Sequence, residues 1–213
     1  MPRTLSFTDR LIGQFDNALR TLTPGAVSAQ KANPAQAVAH SELSHAQRRH
    51  SEALMRINHS GEVCAQGLYQ GQALTAALPT VRASMSLAAD EELDHLAWCD
   101  QRLQELQGNT SWMNPLFYSL SFSLGAVAGA AGDRYSLGFV AATEDQVSHH
   151  LSAHLQQIDQ IDARSTAILE QMLADERRHE ASALAAGGVE FPPAVKQLMT
   201  VVSKLMTKVA YYI

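Results

Sequence analysis

The chain contains 213 residues, of which 46% are hydrophobic and 6% aromatic, a size that fits one domain with an appended arm. Leu and Ala dominate and β-branched runs are scarce, which disfavours sandwiches, barrels and dinucleotide-binding α/β folds and favours an all-α protein. The net charge of −5 argues against nucleic acid as a partner, and two cysteines, Cys64 and Cys99, are too few for a disulfide framework or a zinc ribbon, so we expect a reducing compartment.

Residues 1–46 are predicted to form an N-terminal arm. Its first part repeats apolar residues at helical spacing, which predicts an amphipathic helix that either packs on the domain or contacts a membrane or a partner. These apolar residues are Leu5, Ile12, Phe15, Leu19 and Leu22. Acidic residues interrupt the segment, so we do not expect a secretory signal peptide. The following stretch, Thr23–Ser44, is rich in Pro, Ala, Ser and Gln and is expected to be a connector that contributes little to the core.

Residues 47–213 are predicted to form one helical domain. Proline, glycine and capping signals delimit four long helical patterns and a terminal helix. The predicted ranges are Ala46–Ala77, Pro79–Gln107, Leu116–Ile161 with a break near Gly132 left open, Ser165–Ala186 and Ala194–Tyr211. These helices favour an antiparallel four-helix bundle with extra N- and C-terminal helices, and the long link at Gly108–Pro115 suits the crossover of a ferritin-like bundle.

No charged residue lies between Glu105 and Asp133. The apolar centre of this stretch, Phe117–Ala131, is rich in Gly, Ala and Ser and is short for a membrane span, which needs about 20 predominantly apolar residues. We therefore expect a buried or membrane-facing helix here, with a true span as the less favoured alternative.

The motif Glu-x-x-His occurs on the second and on the fourth long helix, and on a helix residues three apart share one face. A glutamate precedes each motif on the helix before it, by 30 residues in the first copy and by 32 in the second. This doubled pattern is typical of four-helix bundles that hold two metal ions. The six candidate ligands are Glu62, Glu92, His95, Glu144, Glu176 and His179. A third match, Glu42–His45, lies at the edge of the polar connector without a preceding glutamate, and we interpret it as solvated.

Carboxylate and imidazole ligands suit iron or manganese, and no set of thiolates suits zinc. Two divalent ions would neutralise the four carboxylates, and without metal we expect burial and mutual repulsion to raise the pKa of some of these glutamates. Glu91, Asp94, Asp175 and Glu180 are expected to be solvated or to orient the two histidines. The role of His59 stays open, and we expect no ligand role for His149, His150, His154 or Cys99. For Tyr69, Trp98 and Tyr135, core packing is favoured over lining a cavity.

Five stretches of the sequence resemble the demethoxyubiquinone hydroxylases, a family of di-iron monooxygenases of ubiquinone biosynthesis. The stretches are Arg56–Val63, Gly67–Gln72, Asp90–His95, Gly138–Glu144 and Asp175–Glu180. The resemblance extends from about Arg48 to the C-terminus and leaves the preceding arm outside it. The first stretch contains an Asn-His-x-Gly-Glu motif, which together with both Glu-x-x-His motifs makes the resemblance specific.

The resemblance implies a ferritin-like fold and two iron ions per chain. It implies one iron site with Glu62, Glu92 and His95, a second with Glu144, Glu176 and His179, and bridging by Glu92 and Glu176. The implied reaction uses O2 to hydroxylate the ring of a polyprenylated methoxy-methyl-benzoquinol, with no catalytic residue beyond the metal ligands. The family also implies peripheral association with a membrane, on the cytoplasmic face in a bacterium, and contacts with partner proteins of the pathway.

The ligand set alone leaves an alternative function open. A ferritin-like protein for iron oxidation and storage could share both the fold and the ligands, and its iron load per chain would distinguish it. A rubrerythrin-like peroxidase is less favoured, because the chain lacks the four cysteines of that family's additional iron site.

Overall fold

The computed structural model describes residues 7–40 and 42–213, without the side chains of residues 7, 10 and 11. The helices are α1 (Phe7–Leu22), α2 (His45–Thr75), α3 (Pro79–Glu105), α4 (Asn114–Ala130), α5 (Asp133–Ile158), α6 (Ala163–Ala185) and α7 (Pro193–Tyr212). A short 3-10 helix, Pro34–Ala37, precedes α2, and the described residues contain no strand. The predicted all-α fold is confirmed. Leu5, counted in the predicted first helix, lies outside the described residues.

A four-helix bundle is formed by α2, α3, α5 and α6, as two antiparallel hairpins joined through α4. Local signals set the starts of these helices. Ser44 and Gln47 form a capping box at the start of α2, Pro79 occupies the first turn of α3, and Asp162 accepts a hydrogen bond from the backbone of Ser165 at the start of α6. The side chain of Gln66 on α2 donates a hydrogen bond to the Ala89 carbonyl on α3, which fixes the register of the first hairpin.

Two apolar clusters fill the bundle, one towards each end. Each contains residues from all four bundle helices. The first includes Leu54, Trp98, Leu103, Leu151, Ile168 and Met172, and the second includes Tyr69, Val81, Met85, Leu137, Val140 and Ala183. Polar residues on the same helices occupy the layer between the two clusters, so this layer is buried from both ends.

The third predicted helical region, Leu116–Ile161, is two helices in the structure. The chain breaks at Gly132, whose φ of 118° is favourable only for glycine. Its first part, α4, lies outside the four-helix bundle and packs along α2. The contact is close because glycines face it: a Cβ at Gly71 would lie 2.1 Å from the Phe122 carbonyl oxygen, and one at Gly125 would lie 2.1 Å from that of Leu68. The crossover is therefore a helix and not only the predicted link Gly108–Pro115.

The connector Thr23–Ser44 contributes little to the apolar core, as expected, because only Asn33 and Ala35 are buried among its described residues. Ala35 is fully buried in the first apolar cluster. Carboxylates of α3 also hold the connector, because Asp100 accepts the Gly25 N–H at 2.7 Å and Asp94 accepts the Gln30 N–H at 2.5 Å. These acidic side chains satisfy backbone donors that a loop without regular structure leaves unpaired.

Three peripheral helices expose apolar stripes. Their members repeat at helical spacing and point away from the bundle. The stripes consist of Ile12, Phe15 and Leu19 on α1, Leu116, Leu120, Leu124 and Val127 on α4, and Leu198, Val201, Val202 and Leu205 on α7. Among the described helices, none combines the length and apolar character needed to cross a bilayer. The stretch Phe117–Ala131 thus lies mainly in a helix that is buried on its α2 side and exposed on the other.

Candidate metal centre

All six predicted ligands converge in the buried layer between the two apolar clusters. They form two groups in which one ligand atom from each residue lies within 4.8 Å of the others. The groups are Glu62, Glu92, His95 and Glu176, and Glu92, Glu144, Glu176 and His179. Glu92 and Glu176 belong to both groups, which is the placement that bridging carboxylates require. Each group is a set of hard oxygen donors with one imidazole and could hold a metal ion.

Both histidines direct Nδ1 towards the centre and Nε2 away from it. Nε2 of His95 lies 3.2 Å from Asp175 Oδ2, and Nε2 of His179 lies 2.7 Å from Glu91 Oε2. A carboxylate that accepts the Nε2 proton leaves Nδ1 unprotonated and available as a ligand atom. The expectation that neighbouring acids orient the histidines is confirmed for Asp175 and Glu91. Asp94 instead holds the connector, and Glu180 is half-buried.

Five ligand atoms, from Glu92, His95, Glu176 and His179, are buried without hydrogen-bond partners, an arrangement that fits a metal. Nδ1 of His95 lies 2.7 Å from Glu92 Oε2, and Nδ1 of His179 lies 2.9 Å from Glu92 Oε1, but neither contact has hydrogen-bond geometry. Both Glu92 oxygens and Glu176 Oε2 are equally unpaired. Unpaired buried polar atoms are costly and uncommon in folded proteins. Here they face one another in one place, as metal coordination requires.

In the metal-free centre, the pKa values of the glutamates shift in different directions. Burial, together with the neighbouring carboxylates, raises the pKa of Glu62 and of Glu144 well above the ordinary glutamate value. For Glu92 burial acts in the same direction, but the adjacent His95 and His179 outweigh it and lower its pKa. Burial lowers and the surrounding carboxylates raise the pKa of His179, with a net value of about 11. The expected rise in glutamate pKa is thus confirmed for two of the four.

The contact between Tyr69 and Glu144 was not predicted from the sequence. The ring of Tyr69 packs in the second apolar cluster, as expected, but its hydroxyl donates a hydrogen bond to Glu144 Oε1. Burial raises the tyrosine pKa well above its ordinary value, so the hydroxyl keeps its proton. A signal was available in the spacing, because Tyr69 follows Glu62 by two helical turns and shares its face of α2.

The other residues singled out from the sequence lie away from the centre. His59 is buried beside Asn114, and the Cys99 sulfur lies 3.8 Å from that of Met172. His154 contacts Asn58, and His150 contacts Ser203. None of them belongs to either ligand group. The third Glu-x-x-His match is exposed at the start of α2, as interpreted.

Comparison with known proteins places the chain among biosynthetic enzymes. Residues 49–210 match the family model of ubiquinone biosynthesis protein COQ7. A protein of Ectopseudomonas mendocina named 3-demethoxyubiquinol 3-hydroxylase is 60% identical over 99% of this chain and 98% of its own length. A protein of the same name from Acinetobacter baylyi is 60% identical over 96% of this chain and 97% of its own length. Another, from Pseudomonas syringae pv. syringae, is 57% identical over 99% of this chain and 98% of its own length.

Proposed function

The chain belongs to the family of ubiquinone biosynthesis protein COQ7, and from this membership we propose that it is a monooxygenase that hydroxylates the ring of a polyprenylated methoxy-methyl-benzoquinol with O2. The observation that carries the proposal is the pair of buried ligand groups that share Glu92 and Glu176. The relatives of this chain are named for a hydroxylation and not for iron storage. Their names therefore favour a monooxygenase over a protein for iron oxidation and storage.

We propose that the cofactor is two iron ions per chain, held by the six residues of the two ligand groups. When bound, the ions would supply the electrons that reduce O2, so that one oxygen atom enters the ring and the other leaves as water. The ligand chemistry supports a hard divalent cation, and four carboxylates balance the charge of two such ions. The balanced reaction consumes one O2, two electrons and two protons per hydroxyl group; these two electrons, which would pass through the ions, come from an external reductant or from the quinol, which would then leave as the quinone.

The residues of the chain prepare this site. Asp175 and Glu91 hold the Nε2 protons of His95 and His179, which keeps both Nδ1 atoms directed inwards. Tyr69 fixes one oxygen of Glu144. The two apolar clusters exclude water from both ends, and a dry site limits loss of reactive oxygen species to solvent.

The proposed activity is tested with iron-loaded protein that is reduced without oxygen and then given demethoxyubiquinol and O2. We expect the hydroxylated quinol, detected by mass spectrometry, and two irons per chain by metal analysis. Full iron occupancy without hydroxylated product would contradict the enzyme proposal. Accumulation of many irons per chain in a hollow assembly would instead support storage.

We also propose that the protein works at a membrane surface, on the cytoplasmic face in a bacterium, because its substrate carries a long apolar tail. The exposed stripes of α1, α4 and α7 support this location. The α7 helix adds Lys204 and Lys208 and contains no acidic residue, a combination that favours anionic lipid headgroups.

A further inference from the structure

The seam between α2 and α3 continues beyond the metal centre into a cavity of about 120 Å³. On α2, Gln66, Tyr69 and Ala73 follow Glu62 at helical spacing and line this cavity. On α3, Ala89 and Met85 precede Glu92 by one and two turns and line the opposite side. The cavity therefore lies on the same helix faces as the metal ligands, one turn away from them.

Only the side chain of Tyr69 separates the innermost part of this cavity from the metal ligand Glu144. Tyr69 lines the cavity and also contacts Glu144. The wall is fixed by a chain of hydrogen bonds, because Gln66 donates to the Ala89 carbonyl and Gln70 donates to Gln66 at 3.0 Å. Tyr118 of α4 completes the chain by donating to Gln70 at 2.5 Å.

The outer wall is α1, which partly buries Ala18 and Leu22 but exposes the other apolar side chains that the structure describes on this helix. Its apolar residues Ile12, Phe15 and Leu19 face outwards, whereas Gln14 and Asn17 line the cavity. A helix that only packed on the bundle would bury its apolar stripe. Thr21 is buried, and Ala18 and Leu22 pack against Val63, Leu96 and Tyr118, so the C-terminal end of α1 is anchored on the bundle while its larger apolar stripe stays exposed.

One polar atom in the cavity lacks a partner. Oε1 of Gln14 is buried and accepts no hydrogen bond. A buried acceptor without a donor is costly, and a ligand that brings a hydroxyl removes that cost. The hydroxyl groups of a quinol ring are donors of this kind. The lining combines apolar and amide side chains with the charged Arg20 and Asp90, so it offers both packing surface and hydrogen-bond partners to a substituted quinol ring.

We propose that this cavity binds the quinol ring of the substrate, and that α1 is a cover which moves to admit it. This inference rests on the proposed function and names the place where its substrate binds. An apolar cavity of about 150 Å³ binds benzene. The present cavity of about 120 Å³ is smaller, so it admits a substituted ring only after α1 shifts outwards. The apolar stripe of α1 then lies beside the opening, where the prenyl tail leaves.

The test measures binding rather than turnover. The full-length protein, loaded with ferrous iron and kept free of oxygen, is titrated with a demethoxyubiquinol that carries a short prenyl tail, and the dissociation constant is measured by calorimetry. Ser86→Trp places a large side chain at the rim of the cavity, and Ser84→Trp on an exposed position of the same helix is the matched control. Gln14→Ala removes the unpaired acceptor, and Asp16→Ala on the exposed side of α1 is its control.

We expect Ser86→Trp to weaken binding by about tenfold or more and Gln14→Ala by roughly three- to tenfold, with both controls unchanged. Iron content and helix content report whether each variant is folded. Unchanged binding in both folded cavity variants would overturn the inference and leave the proposed function standing. If the unmodified iron-loaded protein forms no hydroxylated quinol, the proposed function fails by its own measurement, independently of these dissociation constants.

Discussion

The hydroxyl of Tyr69 reaches across the bundle from α2 and donates a hydrogen bond to Glu144 on α5. The bond occupies one oxygen of a carboxylate that belongs to the second ligand group, and it leaves the other oxygen free for an ion. Tyr69 thus acts on the candidate metal centre through Glu144, as a positioning residue.

We expect Tyr69→Phe to fold normally and to lower hydroxylase activity by about tenfold, the lower end of the effect of removing partners of metal ligands. The Mössbauer spectrum of the iron-loaded variant should change for one of the two irons, because only one ligand group contains Glu144. Tyr135→Phe on the exposed face of α5 is the control. A spectrum identical to that of the unmodified protein would show that the hydrogen bond does not position the carboxylate.

The shared carboxylates are expected to be essential for a coupled pair of ions. Glu92→Ala and Glu176→Ala should each abolish the magnetic coupling in Mössbauer spectra, because each residue belongs to both ligand groups. Circular dichroism should show that most of the helix remains. Glu42→Ala, which changes an exposed glutamate of the third Glu-x-x-His match, should leave two irons per chain. Retained coupling after removal of either shared residue would contradict the bridging arrangement.

The metal-free protein should become less stable as the pH rises from about 7 to 9. Burial raises the pKa of Glu62 and Glu144 in the folded state, so their contribution is complete below the ordinary glutamate pKa and is lost as the pH rises towards their folded values. His179 acts in the same direction between its ordinary pKa and about 11. Thermal unfolding measured across this range tests the direction.

Glu62→Gln provides the control for this pH dependence, because an amide removes one of the raised carboxyl groups and keeps its shape. We expect a shallower fall of the unfolding temperature with pH in the metal-free variant. Loading with a divalent metal should also flatten the curve of the unmodified protein, since the ions displace the bound protons. A stability that rises with pH in the metal-free protein would contradict the assignment of raised values.

The close contact between α2 and α4 should not tolerate a side chain at Gly71. Its Cβ would lie 2.1 Å from a backbone oxygen, and backbone cannot move aside cheaply. We expect Gly71→Ala to lower the free energy of unfolding by about 1–3 kcal/mol. Gly61→Ala, also in α2 but with open space around its Cβ, should be neutral or slightly stabilising. Denaturant unfolding of both variants gives the comparison, and equal stabilities would refute the close contact.

The exposed stripe of α4 should bind lipid. Leu120→Glu and Leu124→Glu place charges in the middle of the stripe and should reduce flotation with vesicles of phosphatidylethanolamine and phosphatidylglycerol. Gln160→Glu adds the same charge at an exposed position between α5 and α6 and serves as the control. Flotation that responds equally to all three variants would point to net charge alone and against contact through α4.

Sequence periodicity predicted the bundle helices to within a few residues, and the doubled Glu-x-x-His pattern predicted which side chains meet. Both are repeats along one helix face, so spacing alone is enough to find them. The helix α4 was harder to place, because the same Gly and Ala that suggest an apolar span also permit the close contact with α2. Whether a helix joins the bundle or packs outside it depends on its partner, which local spacing does not reveal.

The spacing of residues along the sequence also does not predict hydrogen bonds between distant residues. The connector contributes little to the core, yet Asp94 and Asp100 of α3 accept hydrogen bonds from its backbone N–H groups. The outward position of Ile12, Phe15 and Leu19 on α1 was not predictable for a similar reason. An amphipathic pattern shows that a helix has two faces, but it does not show which face turns inwards.

The placement of the centre between two apolar clusters has a consequence for assembly of the holoprotein. Each cluster joins all four bundle helices without using a metal ligand, so the scaffold has its own sources of cohesion above and below the ion positions. We therefore expect the metal-free chain to fold before it binds a metal ion, so that the centre is filled in a bundle that has already formed.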